Sequence, residues 1–254
     1  MKHIYLSPHL DDAVLSCGGV IHRQVVGGDS VLVLTVLTGE AAATVSDFAL
    51  LQHTYWGNPR RPMTLRRAED VAALTVLGAE WYHLGYLDAV YRLGDGEWLY
   101  ADLEALFGAV KPGDPMALAQ AALVAQLAGF VAAPEPATVY APLAVGGHVD
   151  HRIVHGAARR LAERGYRVAF YEEYPYAGQP GSVEAAGVSG WRPELLRLDA
   201  ADVAAWVQAI GYYRSQLGVL FRGGEAMPTL VWTFASTRSA DGALAGRIWW
   251  PDGV

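Results

Sequence analysis

The chain has 254 residues, 52% of them hydrophobic, and no charge run or low-complexity linker divides it, which fits a single domain spanning 1–254 around one substantial core. Its formal net charge of −7 argues against nucleic acid or an anionic membrane as a partner, because phosphate binding draws on clustered Lys and Arg; the pairs Arg60/Arg61, Arg66/Arg67 and Arg159/Arg160 read as solvated helix faces. Cys17 is the only cysteine, so an internal disulfide is excluded, and without a signal-peptide pattern at the N-terminus the expected location is the cytoplasm.

In chain order, an apolar strand at 3–7 runs into Ser-Pro-His-Leu-Asp-Asp at 7–12, followed by an amphipathic helix at 13–26, where Cys17, Gly18 and Gly19 supply small packing groups. A strand at 30–36, a loop region to about 63, a helix at 64–77 closed by Gly78 and a strand at 80–84 come next. Helices are expected near 100–110 and 116–132. The second lacks charged residues over 116–133, yet its alanines, Gln120, Gln126 and the bracketing Pro115 and Pro134 suit a helix packed within the protein, not a membrane span. A strand at 138–142 leads through Gly-Gly-His-Val-Asp-His at 146–151 into a helix at 149–164, capped by Gly165, and a strand at 167–172. The Gly- and Pro-rich stretch 174–193 is long enough to form a lid or rim, with Tyr174, Tyr176 and Trp191 as candidates to stack on a ligand. A helix over 202–216 and an antiparallel hairpin of 228–235 with 247–250 complete the pattern.

Alternation of this kind predicts a Rossmann-like α/β fold: a three-layer sandwich with a mostly parallel sheet, right-handed crossovers and a C-terminal hairpin. The first strand-to-helix turn lacks a glycine-rich phosphate loop and carries His9, Asp11 and Asp12 instead, which disfavours a dinucleotide site. Both His/Asp clusters fall after strands, where α/β proteins place their chemistry. His9, Asp12 and His151 supply two imidazoles and one carboxylate, a common catalytic-zinc set that leaves a position for water and lowers its pKa. Asp11 is then free to act as general base. His148 is left for the oxyanion, protonated or with its proton on the inward nitrogen, and Asp150 is expected to orient it. Taken singly, Asp11, Asp12 and Asp150 could each merely cap a helix; His155 is a rival ligand; and His3, His22, His53 and His83 are expected to be structural.

On these residues the chain resembles the PIG-L/LmbE family of metal-dependent de-N-acetylases, whose paired signatures are (A/S)-(H/P)-x-D-D and H-x-D-H. The likeness continues at Arg66-x-x-Glu69 with Leu77-Gly78, at Leu84-Gly85-Tyr86-Leu87-Asp88 and at Tyr212-Tyr213-Arg214-Ser215-Gln216. It departs at Leu10, where the family usually has proline, and at Ala13, where many members have glutamate. The resemblance implies Zn2+ bound by His9, Asp12 and His151, with Asp11 as base and His148 as acid or oxyanion partner. Arg66 and Asp88 then become substrate contacts, although Arg66 could instead pair with Glu69 or Asp70. The implied reaction removes the N-acetyl group from an N-acetylglucosamine-type sugar or glycoconjugate. Fe2+, Mn2+ or Co2+ could occupy the same donors. Two other classes use the same three ligands: a non-haem iron oxygenase, and a catalytically silent metal- or sugar-binding protein.

Overall fold

The computed structural model describes residues 1–57, 60–131, 136–221 and 226–251. Its nine strands are β1 (Lys2–Ser7), β2 (Ser30–Thr35), β3 (Glu80–His83), β4 (Leu93–Gly94), β5 (Glu97–Trp98), β6 (Ala137–Pro142), β7 (Arg167–Tyr171), β8 (Arg192–Arg197) and β9 (Ala245–Trp250) among the described residues. The helices there are α1 (Asp12–Val26), α2 (Asp47–Tyr55), α3 (Pro62–Leu77), α4 (Leu103–Leu106), α5 (Pro115–Leu118), α6 (Gln120–Val131), α7 (Val149–Glu163), α8 (Ser182–Ala185), α9 (Ala200–Ile210), α10 (Arg214–Phe221) and α11 (Met227–Thr237).

Seven strands form one sheet in the order β3-β2-β1-β6-β7-β9-β8, and β4 and β5 make a separate antiparallel pair. The first five strands of that order are parallel; β9 runs antiparallel to both β7 and β8. The β1, β6 and β7 segments are buried almost throughout, as strands covered on both faces must be. The order grows in opposite directions from the β1–β6 pair, so right-handed crossovers put the helix after β1 and the helix after β6 on opposite faces. On one face α1, α3 and α9 pack together; α6 packs on α7 on the other. The α1–α9 approach depends on Gly18, where a Cβ would lie 2.3 Å from the Trp206 ring. Cys17 is buried beside it, as expected of a packing residue.

That sheet order creates the functional crevice. A ligand site in an open parallel sheet lies beyond the carboxyl ends of the strands, where the order reverses. Here that point is between β1 and β6, the strands that the two His/Asp segments follow, so segments some 140 positions apart in sequence meet there.

Four expectations are corrected. The stretch read as loop before 63 contains α2, begun by Ser46, whose side chain accepts from the Ala49 amide at 3.0 Å. The antiparallel C-terminal pair is real but consists of β8 and β9; residues in the proposed 228–235 strand belong to α11, which starts with Pro228 in its first turn and buries Val231, Phe234 and Ala235. The 202–216 helix is two, α9 and α10, broken at 211–213. The charge-free 116–133 stretch likewise splits into α5 and α6, up to the limit of the described residues at 131, and no helix among the described residues is long and apolar enough to cross a membrane.

Candidate active site

The first loop is folded by Ser7 and Asp12, which leaves Asp11 free. The Ser7 hydroxyl donates to the His9 carbonyl at 2.7 Å and accepts from the Ala13 amide at 3.0 Å, serving the start of α1. The Asp12 carboxylate accepts from the His9 amide at 2.8 Å. Asp11 precedes α1 with φ 157° and ψ −33°, a conformation rare outside glycine, and its side chain makes no capping bond. The second loop turns on Gly146 and Gly147, both at positive φ; a Cβ on Gly146 would lie 2.6 Å from the Tyr176 ring. His148 caps α7 by accepting the Asp150 amide on Nδ1 at 3.2 Å. Its ring proton therefore resides on Nε2.

His9 Nδ1 and His151 Nε2 each lie 3.2 Å from the same oxygen, Oδ2 of Asp12. The three residues form one of two groups of His and Asp donors, among the described residues, close enough to hold a metal ion; the other is His9, His148 and Asp150. The far nitrogens decide between them. His9 Nε2 donates to Asp150 Oδ2 at 2.9 Å, and His151 Nδ1 to Glu173 Oε1 at 3.1 Å, so the nitrogens left to take a cation are the two that face Asp12. A histidine that ligates a metal through one nitrogen and donates to a carboxylate through the other is the usual arrangement around a cation. In the second group the His9 nitrogen facing Asp150 is already a donor and His148 Nδ1 is already an acceptor, which leaves that set poorly suited. His9, Asp12 and His151 thus fit a divalent cation.

Asp150 differs from expectation. Its carboxylate is fully buried and bonds His9, the Ala89 amide at 3.0 Å and the Arg92 guanidinium at 2.5 Å; only its backbone amide serves His148. It positions His9 rather than His148. Arg92 also bonds Asp114 at 2.9 Å and the Leu87 carbonyl at 3.1 Å, and Tyr100 donates to Asp114 at 2.7 Å.

These surroundings set the charges. Burial raises the Asp11 pKa to about 7, with Arg66, 3.5 Å away, opposing and Asp12 adding to the rise. Burial disfavours a charged Asp12, but His151 and His9 outweigh it and hold its pKa well below the usual range. Burial opposes a charged His9 too, yet Asp88, Asp12 and Asp150 raise its pKa well above normal; the same contest, with Asp12 and Glu173, takes His151 to about 9. Burial and the nearby His9 push His148 down to about 3, so its ring is neutral.

A cavity of about 210 Å³ opens over these groups, lined also by Arg66, Asp88, Tyr174 and Tyr176. The rim role expected of 174–193 thus holds for its start; the rest packs Ala177, Val183 and Val188 into the core. Trp191 instead stacks on His155 and lies 5.1 Å from Phe170. His155, the rival ligand, bonds the Pro142 carbonyl at 2.9 Å, away from the donor set. Arg66 pairs with neither Glu69 nor Asp70: it lies over Trp56 at 4.7 Å, while Glu69 holds Ser215 and Asp70 takes Tyr213. His3, His22, His53 and His83 each bond a side chain elsewhere, on Tyr140, Asp202, Tyr91 and Asp70. Glu173 and Arg92 were not anticipated. Paired acids just past a buried strand, at 172–173, are a signal for the first; no local pattern marks the second.

Comparison with known proteins gives one direction. The model of the GlcNAc-PI de-N-acetylase family, PIG-L, matches residues 4–162. The 2'-N-acetylparomamine deacetylase of Streptomyces fradiae is 33% identical over 213 residues, covering 82% of this chain and 69% of that protein. The enzyme of the same name from Niallia circulans is 30% identical, covering 88% and 83%. Among solved structures, the zinc inhibited form of a teicoplanin deacetylase superposes with a TM-score of 0.84 at 28% identity over the whole of both chains. A deacetylase of the A40926 pseudoaglycone gives 0.77 at 29% identity, covering 97% of this chain and 95% of that one.

Proposed function

Because the chain belongs to the PIG-L de-N-acetylase family and is therefore a metal-dependent N-deacetylase, we propose that it hydrolyses the acetamide of an N-acetylglucosamine-type sugar or glycoconjugate, with Asp11 as general base and His148 as oxyanion donor. The amide C–N bond breaks, water supplies the oxygen of acetate, and the sugar leaves as a free amine.

One observation carries the reading: His9 and His151 converge on Asp12 with their outer nitrogens held by Asp150 and Glu173, while the neighbouring Asp11 carboxylate is left uncommitted to the helix it precedes. A divalent cation on the three donors would supply Lewis-acid activation of water and of the amide carbonyl. Asp11, beside the donor set and uncommitted to the helix it precedes, takes a proton from the attacking water and can return it to the departing amine. His148 is neutral with its proton on Nε2, so it serves as a hydrogen-bond donor to the developing oxyanion rather than as an acid. Arg66 and Asp88 line the cavity and are the proposed contacts to the sugar. Zinc is the proposed cation, because two imidazoles and one carboxylate are a common catalytic-zinc donor set, with Fe2+, Mn2+ and Co2+ as the alternatives for reconstitution. An oxygenase or a silent binder has no use for a base at position 11, and neither gains support from the related proteins.

The experiment is Asp11→Asn, assayed for acetate and free amine release and for bound metal. Activity should fall by about two to four decades with metal content unchanged. Full activity in this variant would remove Asp11 from the reaction.

A further inference from the structure

The cavity over the catalytic groups is about 210 Å³, below the roughly 300 Å³ at which pockets enclose whole small ligands. It has room for the acetamido end of a sugar, so whatever the sugar is attached to must lie at the mouth. That mouth is apolar. Leu103 is 60% exposed, Val219 51% and Phe107 38%, and all three line the opening. The apolar surface starts at the catalytic groups themselves: the Phe107 ring stands edge-on to His148 at 5.3 Å and to Tyr176 at 6.1 Å. Leu220 continues it on the α10 side.

Charge points the same way. Among the described lining residues the only carboxylates are Asp11, Asp12 and Asp88, all buried beside the imidazoles, and the two glutamines, Gln52 and Gln216, are neutral. An aglycone bearing ammonium groups would lose hydration against leucine, valine and phenylalanine, side chains that themselves offer it no counter-charge. An aromatic or alkyl aglycone would bury its surface on the same side chains at a gain.

We propose that the N-deacetylase substrate of this protein is an N-acetylhexosaminide with an uncharged aromatic or otherwise apolar aglycone, seated on a collar formed by Leu103, Phe107, Val219 and Leu220, and that amine-rich sugar conjugates are discriminated against. The inference rests on the deacetylase reading above and narrows it. It separates this chain from what the names of its two 2'-N-acetylparomamine relatives describe, since paromamine carries several amines.

The test compares kcat/KM of the metal-loaded protein for methyl, octyl and 4-nitrophenyl N-acetylglucosaminides, in both anomers, and for 2'-N-acetylparomamine. The octyl or 4-nitrophenyl glycoside should exceed the methyl glycoside by about tenfold or more, chiefly through KM, with 2'-N-acetylparomamine below it. The double variant L103D/V219D, at two exposed positions, should lower the ratio of 4-nitrophenyl glycoside to 2'-N-acetylparomamine by about tenfold or more. Equal kcat/KM for the three glycosides, or 2'-N-acetylparomamine as the best substrate, overturns the proposal while leaving the deacetylase reading intact. If no compound releases amine, that reading fails, and equilibrium dialysis of the 4-nitrophenyl and methyl glycosides still decides the collar: equal affinity overturns it.

Discussion

At the scale of single residues, the chemistry depends on what each polar group is already committed to. Asp12 is bound to the loop and both imidazoles, Asp150 to His9 and Arg92, and the His148 Nδ1 to a backbone amide. Asp11 alone of the three aspartates in the two motifs has no hydrogen bond from its side chain, only Arg66 at 3.5 Å. Glu173 is the informative case because it touches no substrate. It is buried at the end of β7 and holds the His151 ring at Nδ1 while accepting the Val145 amide at 3.2 Å. Replacing it with Gln keeps the volume but lets the side chain offer an N–H to Nδ1, favouring the wrong tautomer. Glu173→Gln should weaken metal affinity by about 10–100-fold, measured by competition with a chromogenic chelator, and added metal should restore most of the activity. Unchanged affinity would mean that the carboxylate serves only the packing of the 143–147 turn.

At the scale of elements, the site is assembled from segments that secondary structure hardly describes. The stretch between β3 and β4 carries Asp88 and a single turn at Ala89–Tyr91, and it is fixed by Arg92, whose guanidinium reaches Leu87, Asp114 and Asp150 in three separate parts of the chain. Arg92 is 2% exposed and both of its carboxylate partners are fully buried. Removing such a cation strands two buried charges, which costs about 3–5 kcal/mol. Arg92→Met should therefore lower unfolding stability by about that amount in denaturant titration and loosen Asp88; a loss under about 1 kcal/mol would contradict the clamp. This network was illegible in the sequence because its members, at 92, 100, 114 and 150, share no spacing. The two motifs were legible because a strand-to-helix turn keeps its chemistry local: His9 with Asp12, His148 with His151. The sheet was legible for the same reason, since β1, β2, β6 and β7 are short buried runs between turn residues. The α2 helix was not, because its apolar residues follow no helical stripe and it buries only Ala49 and His53. Nor was the identity of β8: its alternation of exposed and half-buried residues includes Arg192, Glu194 and Arg197, and pairing with β9 depends on a partner about fifty residues away.

At the scale of the molecule, the donor set sits on loops at the reversal point of a sheet whose core it does not enter. Strand residues such as Ile4, Leu34, Val139 and Phe170 are completely buried and form one cluster with the helices on both faces. Without a cation the site still has partners for its charges, because Asp12, Asp150 and Glu173 lie within hydrogen-bond reach of His9 and His151. Metal removal should therefore abolish deacetylation without unfolding the chain. A cation at about 100 times its dissociation constant adds about 2.7 kcal/mol to the native state. At about 2–4 °C per kcal/mol for a chain of this size, chelation should lower Tm by roughly 5–11 °C. Far-UV circular dichroism below the transition should stay the same, and both Tm and activity should return when metal is restored. If chelation instead erased the helical signal at room temperature, the cation would be organising the β1–β6 crevice itself, and the sheet could not be treated as a preformed platform for the chemistry above it.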